Sequence, residues 1–168
     1  NLANNYPFAL NCVKGEGPYL YDIDGNKYID FIGAGGPSIL GNNDPDVRQA
    51  IEECLSSTGY LTGLYHENEY KVAQKVKEFF PSVDKFRMLG SGTEACMFAI
   101  RAARAFTGKK HIVKLKGNFH GNSDQVIYDM RYCGSKDSFA VGVPEECFRY
   151  ISAVMVNDLN ELEQRFID

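Results

Sequence analysis

Apolar positions fall at two different spacings along this 168-residue chain. Val47, Ala50, Ile51, Cys54 and Leu55 recur at intervals of three and four, which keeps side chains on one face of an α-helix. Asp44 is placed to cap that helix and Pro45 suits its first turn, where a missing N–H is harmless. The pattern stops before Gly59. A second helix is expected from Glu67 to Phe80, with Tyr70, Ala73 and Val76 recurring along it, Lys71, Lys75 and Lys77 on a solvated face, and Pro81 at its end. Thr93 to Phe106 is rich in alanine and helix-favouring, with Gly108 as its C-cap. Near the end of the chain, Asp158 and Glu161 have the spacing of a capping box.

Between these segments the runs are short. Gly17 to Phe31 contains two aromatic-rich, partly alternating stretches around Asp24-Gly25-Asn26, a hairpin signal. Phe86–Leu89, His111–Lys116 and Ala153–Val156 read as single strands. Strand, helix, strand and a later strand and helix point to an α/β domain with a largely parallel sheet. Gly33-Ala34-Gly35-Gly36-Pro37-Ser38 reads either as a connector or as backbone that approaches a ligand closely.

Composition narrows the classes. Eighteen Lys and Arg against 22 Asp and Glu give a net charge of -4, so nothing marks the chain as a nucleic-acid or anionic-membrane binder. No apolar run approaches the roughly 20 residues that span a bilayer. Cys12, Cys54, Cys96, Cys133 and Cys147 are odd in number and form no C-x-x-C pair, and His66, His111 and His120 lie far apart. A reducing, cytoplasmic setting and no metal site are therefore expected. The chain starts at Asn1 and stops inside what reads as a helix, so it is expected to be part of a longer one.

Gly90-Ser91-Gly92-Thr93-Glu94-Ala95 sits between a strand candidate and a helix. Glycines turn the chain sharply there, and free N–H groups plus the helix dipole suit an anion such as a phosphate monoester. The plainer reading is a helix entry capped by Ser91 or Thr93. A P-loop would need a lysine that is absent. Gly90-x-Gly92-x-x-Ala95 also fits a dinucleotide fingerprint, but the second strand ends in Lys114 and Lys116 rather than an acid. A phosphorylated ribose could use such lysines, so a nicotinamide-dependent oxidoreductase stays open.

The run from Phe86 through Gly90-Ser91-Gly92-Thr93-Glu94-Ala95 to Arg101 resembles class III aminotransferases. These are pyridoxal-phosphate enzymes of fold type I, and they include the glutamate-1-semialdehyde aminomutases. Gly25 with Tyr28-Ile29-Asp30-Phe31, Leu40-Gly41, Asp44-Pro45 and Gly117-Asn118-Phe119-His120-Gly121 extend the resemblance in order along nearly the whole chain. It implies a partial large domain with a mostly parallel sheet plus an N-terminal hairpin segment: residues 1–58 as the N-terminal segment, and 59–168 as the first part of the pyridoxal-phosphate-binding domain.

The resemblance also implies roles. Ser91, Gly92 and Thr93 would hold the cofactor phosphate; Phe119, where the family often has Tyr, would stack on the pyridine ring with His120 beside it. The family's Schiff-base lysine, and the acid that pairs with the ring nitrogen, lie further along than these residues. No catalytic residue is therefore expected in this segment, and the piece alone is expected to be inactive. The full-length enzyme would be a homodimer acting on a small amino donor and a carbonyl acceptor.

Departures from the family pattern bear on the substrate. Asn42 follows Gly41 where His is frequent, Ala34-Gly35 stands where aminomutases usually have Ser-Trp, and no arginine precedes Arg48. An aminotransferase with a loop widened at Gly35 and Gly36 for a bulkier group is thus expected, with glutamate-1-semialdehyde 2,1-aminomutase and a non-catalytic truncated copy as alternatives.

Overall fold

The computed structural model describes residues 10–59, 63–129 and 142–167. They fall into two compact units, 1–68 and 69–168.

In the first unit, β1 (Cys12–Glu16), β2 (Tyr19–Asp22) and β3 (Lys27–Ile29) form an antiparallel sheet in that order. The expected hairpin is β2–β3. Asp22, only 7% exposed, organises its turn. One carboxylate oxygen accepts from the backbone N–H groups of Asp24 (3.0 Å) and Asn26 (2.8 Å), the other from Asn26 Nδ2 (3.0 Å) and Tyr28 Oη (2.7 Å). The Asn26 and Tyr28 side-chain donors hold this carboxyl below its usual pKa. The strand β1 had no alternating pattern to announce it; it pairs with β2 through backbone groups, with a register shift between Cys12 and Lys14.

After the sheet, Asp30 ties the chain together. It accepts from the N–H groups of Ile32 (3.0 Å) and Gly33 (2.9 Å) and from Asn42 Nδ2 (3.0 Å). Asn42 and Gly17 exchange backbone hydrogen bonds of 2.7 and 2.8 Å. Helix α1 (Pro45–Ser57) begins as its sequence requires, with Asp44 accepting from the N–H groups of Asp46 (3.1 Å) and Val47 (3.0 Å).

Helix α2 (Glu67–Phe79) leads into the second unit. There α3 (Gly92–Thr107) is capped by Ser91 and closed by Gly108 in the left-handed region, at φ 69°. Strands β4 (Ile112–Leu115) and β5 (Ile151–Val154) pair in parallel, Lys114 lying opposite Ala153. Helix α4 (Leu159–Ile167) follows, Asp158 Oδ1 accepting from the Glu161 N–H at 2.9 Å. Strand β5 is buried on both faces: Ile151, Ala153 and Val154 are core residues, with Val126 and Phe148, and only Ser152 interrupts its apolar side chains.

Phe86–Leu89 is not a strand. A strand exists only with a ladder partner, and none pairs with this segment among the described residues.

Candidate active site

The start of α3 is built from local rules. Ser91 is extended, at φ -157°, and its Oγ accepts from the Glu94 N–H at 3.2 Å while donating to Glu94 Oε2 at 3.1 Å. This satisfies the third N–H of the helix. The first two, on Gly92 and Thr93, have no intrahelical acceptor by geometry. A Cβ built on Gly92 meets nothing within 4 Å, so the flank of the helix at this residue is open.

A second segment closes on this helix start. The loop after β4 begins at Gly117, whose N–H donates to the Asp129 carbonyl at 2.9 Å, so residues 117–129 leave and return at one point. Its tip reaches Thr93: the Asn122 N–H donates to Thr93 Oγ1 at 3.3 Å. Gly121, at φ 101°, makes the approach possible, because a Cβ there would lie 2.6 Å from Thr93 Oγ1 and 2.7 Å from its Cα. Arg104 of α3 also holds the loop, Nη1 donating to Gln125 Oε1 at 2.8 Å.

Lys114 fixes the returning limb. It is 6% exposed, and its Nζ donates to the carbonyls of Val126 (3.0 Å) and Tyr128 (2.6 Å). Burial lowers its pKa, with the Asp129 charge opposing that shift. Burial, followed by the Lys114 charge, also lowers the pKa of His120, favouring neutral imidazole.

Of the residues singled out by sequence, Ser91, Gly92 and Thr93 therefore share a region with the loop that carries Phe119 and His120. Phe119 is 60% exposed and His120 half-buried. Gly35 and Gly36 lie in the first unit, exposed, in a tight turn where Ala34 adopts φ 57°. A nearby cavity of about 570 Å³ is lined by Ile39, Leu40, Val47 and Ile51 among others and does not include these glycines. Cys133 lies outside the described residues.

Asn122 was not among the residues the sequence singled out, and Lys114 stood there only as a candidate for a ribose phosphate. Asn122 acts through its backbone, which leaves no compositional trace. Lys114 did leave one: a cation between Val113 and Leu115 in a buried strand calls for acceptors. Its ammonium is committed to carbonyls and is not free for a ribose phosphate, while Lys116 makes only a loose ion pair, 3.7 Å from Glu161 Oε1.

Residues 2–165 match the family model for aminotransferase class III. Glutamate-1-semialdehyde 2,1-aminomutase of Syntrophomonas wolfei is 43% identical over 157 residues, which cover 91% of this chain and 36% of that protein. The chain thus spans little more than a third of that relative's length. An omega-transaminase from Sphaerobacter thermophilus superposes with a TM-score of 0.84 at 30% identity, over 94% of this chain and 38% of that one. A glutamate-1-semialdehyde aminomutase from Pseudomonas aeruginosa gives 0.80 at 25% identity, over 98% and 37%.

Proposed function

The chain belongs to the class III aminotransferase family, and from that premise we propose that it forms the first part of the cofactor-binding region of a pyridoxal-phosphate-dependent aminotransferase. The observation that carries the proposal is the meeting, at Thr93, of an open helix start with the loop bearing Phe119 and His120.

A phosphate monoester fits the donors present. The N–H groups of Gly92 and Thr93 have no intrahelical acceptor, and a Cβ built on Gly92 meets no protein atom within 4 Å. Thr93 Oγ1 already accepts from Asn122, which leaves its proton to donate. Ser91 would add a further donor by turning its proton away from Glu94, whose carboxylate would then leave the helix start to the phosphate. Exposed Phe119 would offer a flat apolar face to the pyridine ring, and neutral His120 would sit beside it as a hydrogen-bonding group.

When bound, the cofactor supplies an electron-poor ring that takes up charge from the substrate carbon bearing the amino group. This chain's residues would hold and orient it; the tethering lysine is assigned to the remainder of the full-length protein. The 168 residues alone would then bind the cofactor weakly and turn nothing over. A small amine or amino acid would be the donor and a carbonyl compound the acceptor, with Gly35 and Gly36 on the substrate side. A homodimer is what the family resemblance implies for the full-length protein, and a cytoplasmic location is in keeping with the free thiols of Cys12, Cys54, Cys96 and Cys147.

The 43% identity to an aminomutase favours a second reading, an amino shift within one molecule. Assaying the full-length protein separates the two. Loss of amine matched by amination of an added keto acid supports transfer between molecules. Isomerisation of glutamate 1-semialdehyde, with no transfer to any added acceptor, would overturn it in favour of the shift. Thr93→Val is expected to weaken cofactor binding about tenfold, the worth of one charge-assisted hydrogen bond; unchanged affinity would remove Thr93 from the phosphate site.

A further inference from the structure

We propose that Lys114 is a positioning residue for the Thr93 hydroxyl, acting through the loop between Gly117 and Asp129 without touching the ligand. The inference rests on the reading of Thr93 as a phosphate donor.

An ammonium in a strand between Val113 and Leu115 is an expensive way to fill space, since an aliphatic side chain would do so without desolvation. What the ammonium adds is direction. Its two bonds fix the carbonyls of Val126 and Tyr128, on the returning limb of the loop. The N–H groups of Val126 and Ile127 both donate to the Ser123 carbonyl, at 3.0 and 3.1 Å, so fixing Val126 fixes the turn that starts at Ser123. The residue before that turn is Asn122, whose N–H reaches Thr93 Oγ1. Gly117 N–H to the Asp129 carbonyl closes the base of the loop.

A short hydrogen-bonded path therefore runs from Lys114 Nζ to Thr93 Oγ1. At its end the Asn122 N–H occupies an acceptor direction of the hydroxyl oxygen, which restricts where its proton points. With Lys114 removed, the turn loses its anchor, Asn122 recedes, and Thr93 Oγ1 rotates toward other partners. The consequence is expected to fall more on the phosphate than on the ring, because the path ends at Thr93, while His120 feels only the Lys114 charge and the shared loop backbone.

The test uses the full-length protein freed of cofactor and titrated with pyridoxamine 5'-phosphate, which forms no covalent bond to lysine, and with pyridoxamine, which lacks the phosphate. Lys114→Met is expected to weaken pyridoxamine 5'-phosphate binding about fivefold to tenfold, on the order of one hydrogen bond to a charged group. Pyridoxamine binding should fall by less. Combined with Thr93→Val it should add little to the loss from Thr93→Val alone, since both act on one contact.

Equal losses for the two ligands, additive losses in the double variant, or wild-type affinity in Lys114→Met would each overturn the proposal. Should Lys114→Met fail to fold, Lys114→Gln keeps a donor on a side chain one bond shorter; a smaller loss with the same dependence on the phosphate is then expected, and a loss independent of it overturns the proposal. If Thr93→Val itself leaves pyridoxamine 5'-phosphate binding unchanged, the phosphate reading of Thr93 is what fails, and the role given to Lys114 goes with it.

Discussion

A methyl group added at Gly121 would meet Thr93 Oγ1 at 2.6 Å, whereas one added at Gly92 would meet nothing within 4 Å. The two glycines thus separate folding from binding. Gly92→Ala sits in an ordinary helical first turn, where alanine is a good residue. It is expected to leave the melting temperature of the full-length protein unchanged or slightly higher, yet to cut pyridoxal-phosphate affinity about tenfold by occupying the anion's place. Affinity equal to wild type would show that no ligand comes close there. Gly121→Ala is expected to destabilise by about 1–3 kcal/mol, through overpacking and an unfavourable left-handed backbone, as read by chemical denaturation. At this scale the sequence disclosed side chains with local signatures, such as Ser91 and Thr93 at a glycine-flanked helix start. It concealed Asn122, because a backbone N–H is common to every residue but proline.

Helices were legible wherever their ends carry their own chemistry. Asp44 caps α1 with bonds of 3.1 and 3.0 Å, so Asp44→Ala is expected to lower stability by about 1 kcal/mol, measured by urea unfolding. Gly108 ends α3 in the same local fashion. Strands are properties of pairs, and a pair is not written in one segment. Phe86–Leu89 has strand composition without a partner among the described residues, while β1, with Gly15 in it and no alternation, becomes a strand because β2 lies beside it. The hairpin carries a dependence on acid. Because the Asp22 carboxyl has its pKa lowered from 3.8, the unfolded chain takes up that proton first. Its contribution is complete above 3.8 and fades as pH falls through the lower folded value. Asp22→Asn is therefore expected to reduce stability at neutral pH and to flatten the acid limb of a denaturation series; an unchanged acid limb would assign it to other groups.

In the molecule as a whole, the order of the helices and of β4 and β5 was readable, and the parallel β4–β5 pair follows from it. The placing of apolar faces was not. Among the described residues, none of α1, α2, α3 and α4 holds a buried residue, and Val47, Ile51, Met97, Phe98 and Phe106 are all exposed. Periodicity says that a face wants a cover without saying what covers it, and helices of this length draw most of their stability from packing. The 168-residue chain expressed alone is thus expected to melt at lower temperature and over a broader range than the full-length protein, and to bind an apolar dye. A sharp transition at the same temperature would refute this.

The parallel register that sets Ile112 beside Ile151 also orders events in time. As the chain leaves the ribosome, α3 and the loop from Gly117 to Asp129 emerge well before β5, on which β4 depends for its ladder. Closing that distance is a slow, non-local step compared with winding a helix. The start of α3 and the loop facing it therefore become rigid late in synthesis, and a nascent chain paused before Val154 presents Thr93 and Asn122 on a scaffold that is not yet assembled.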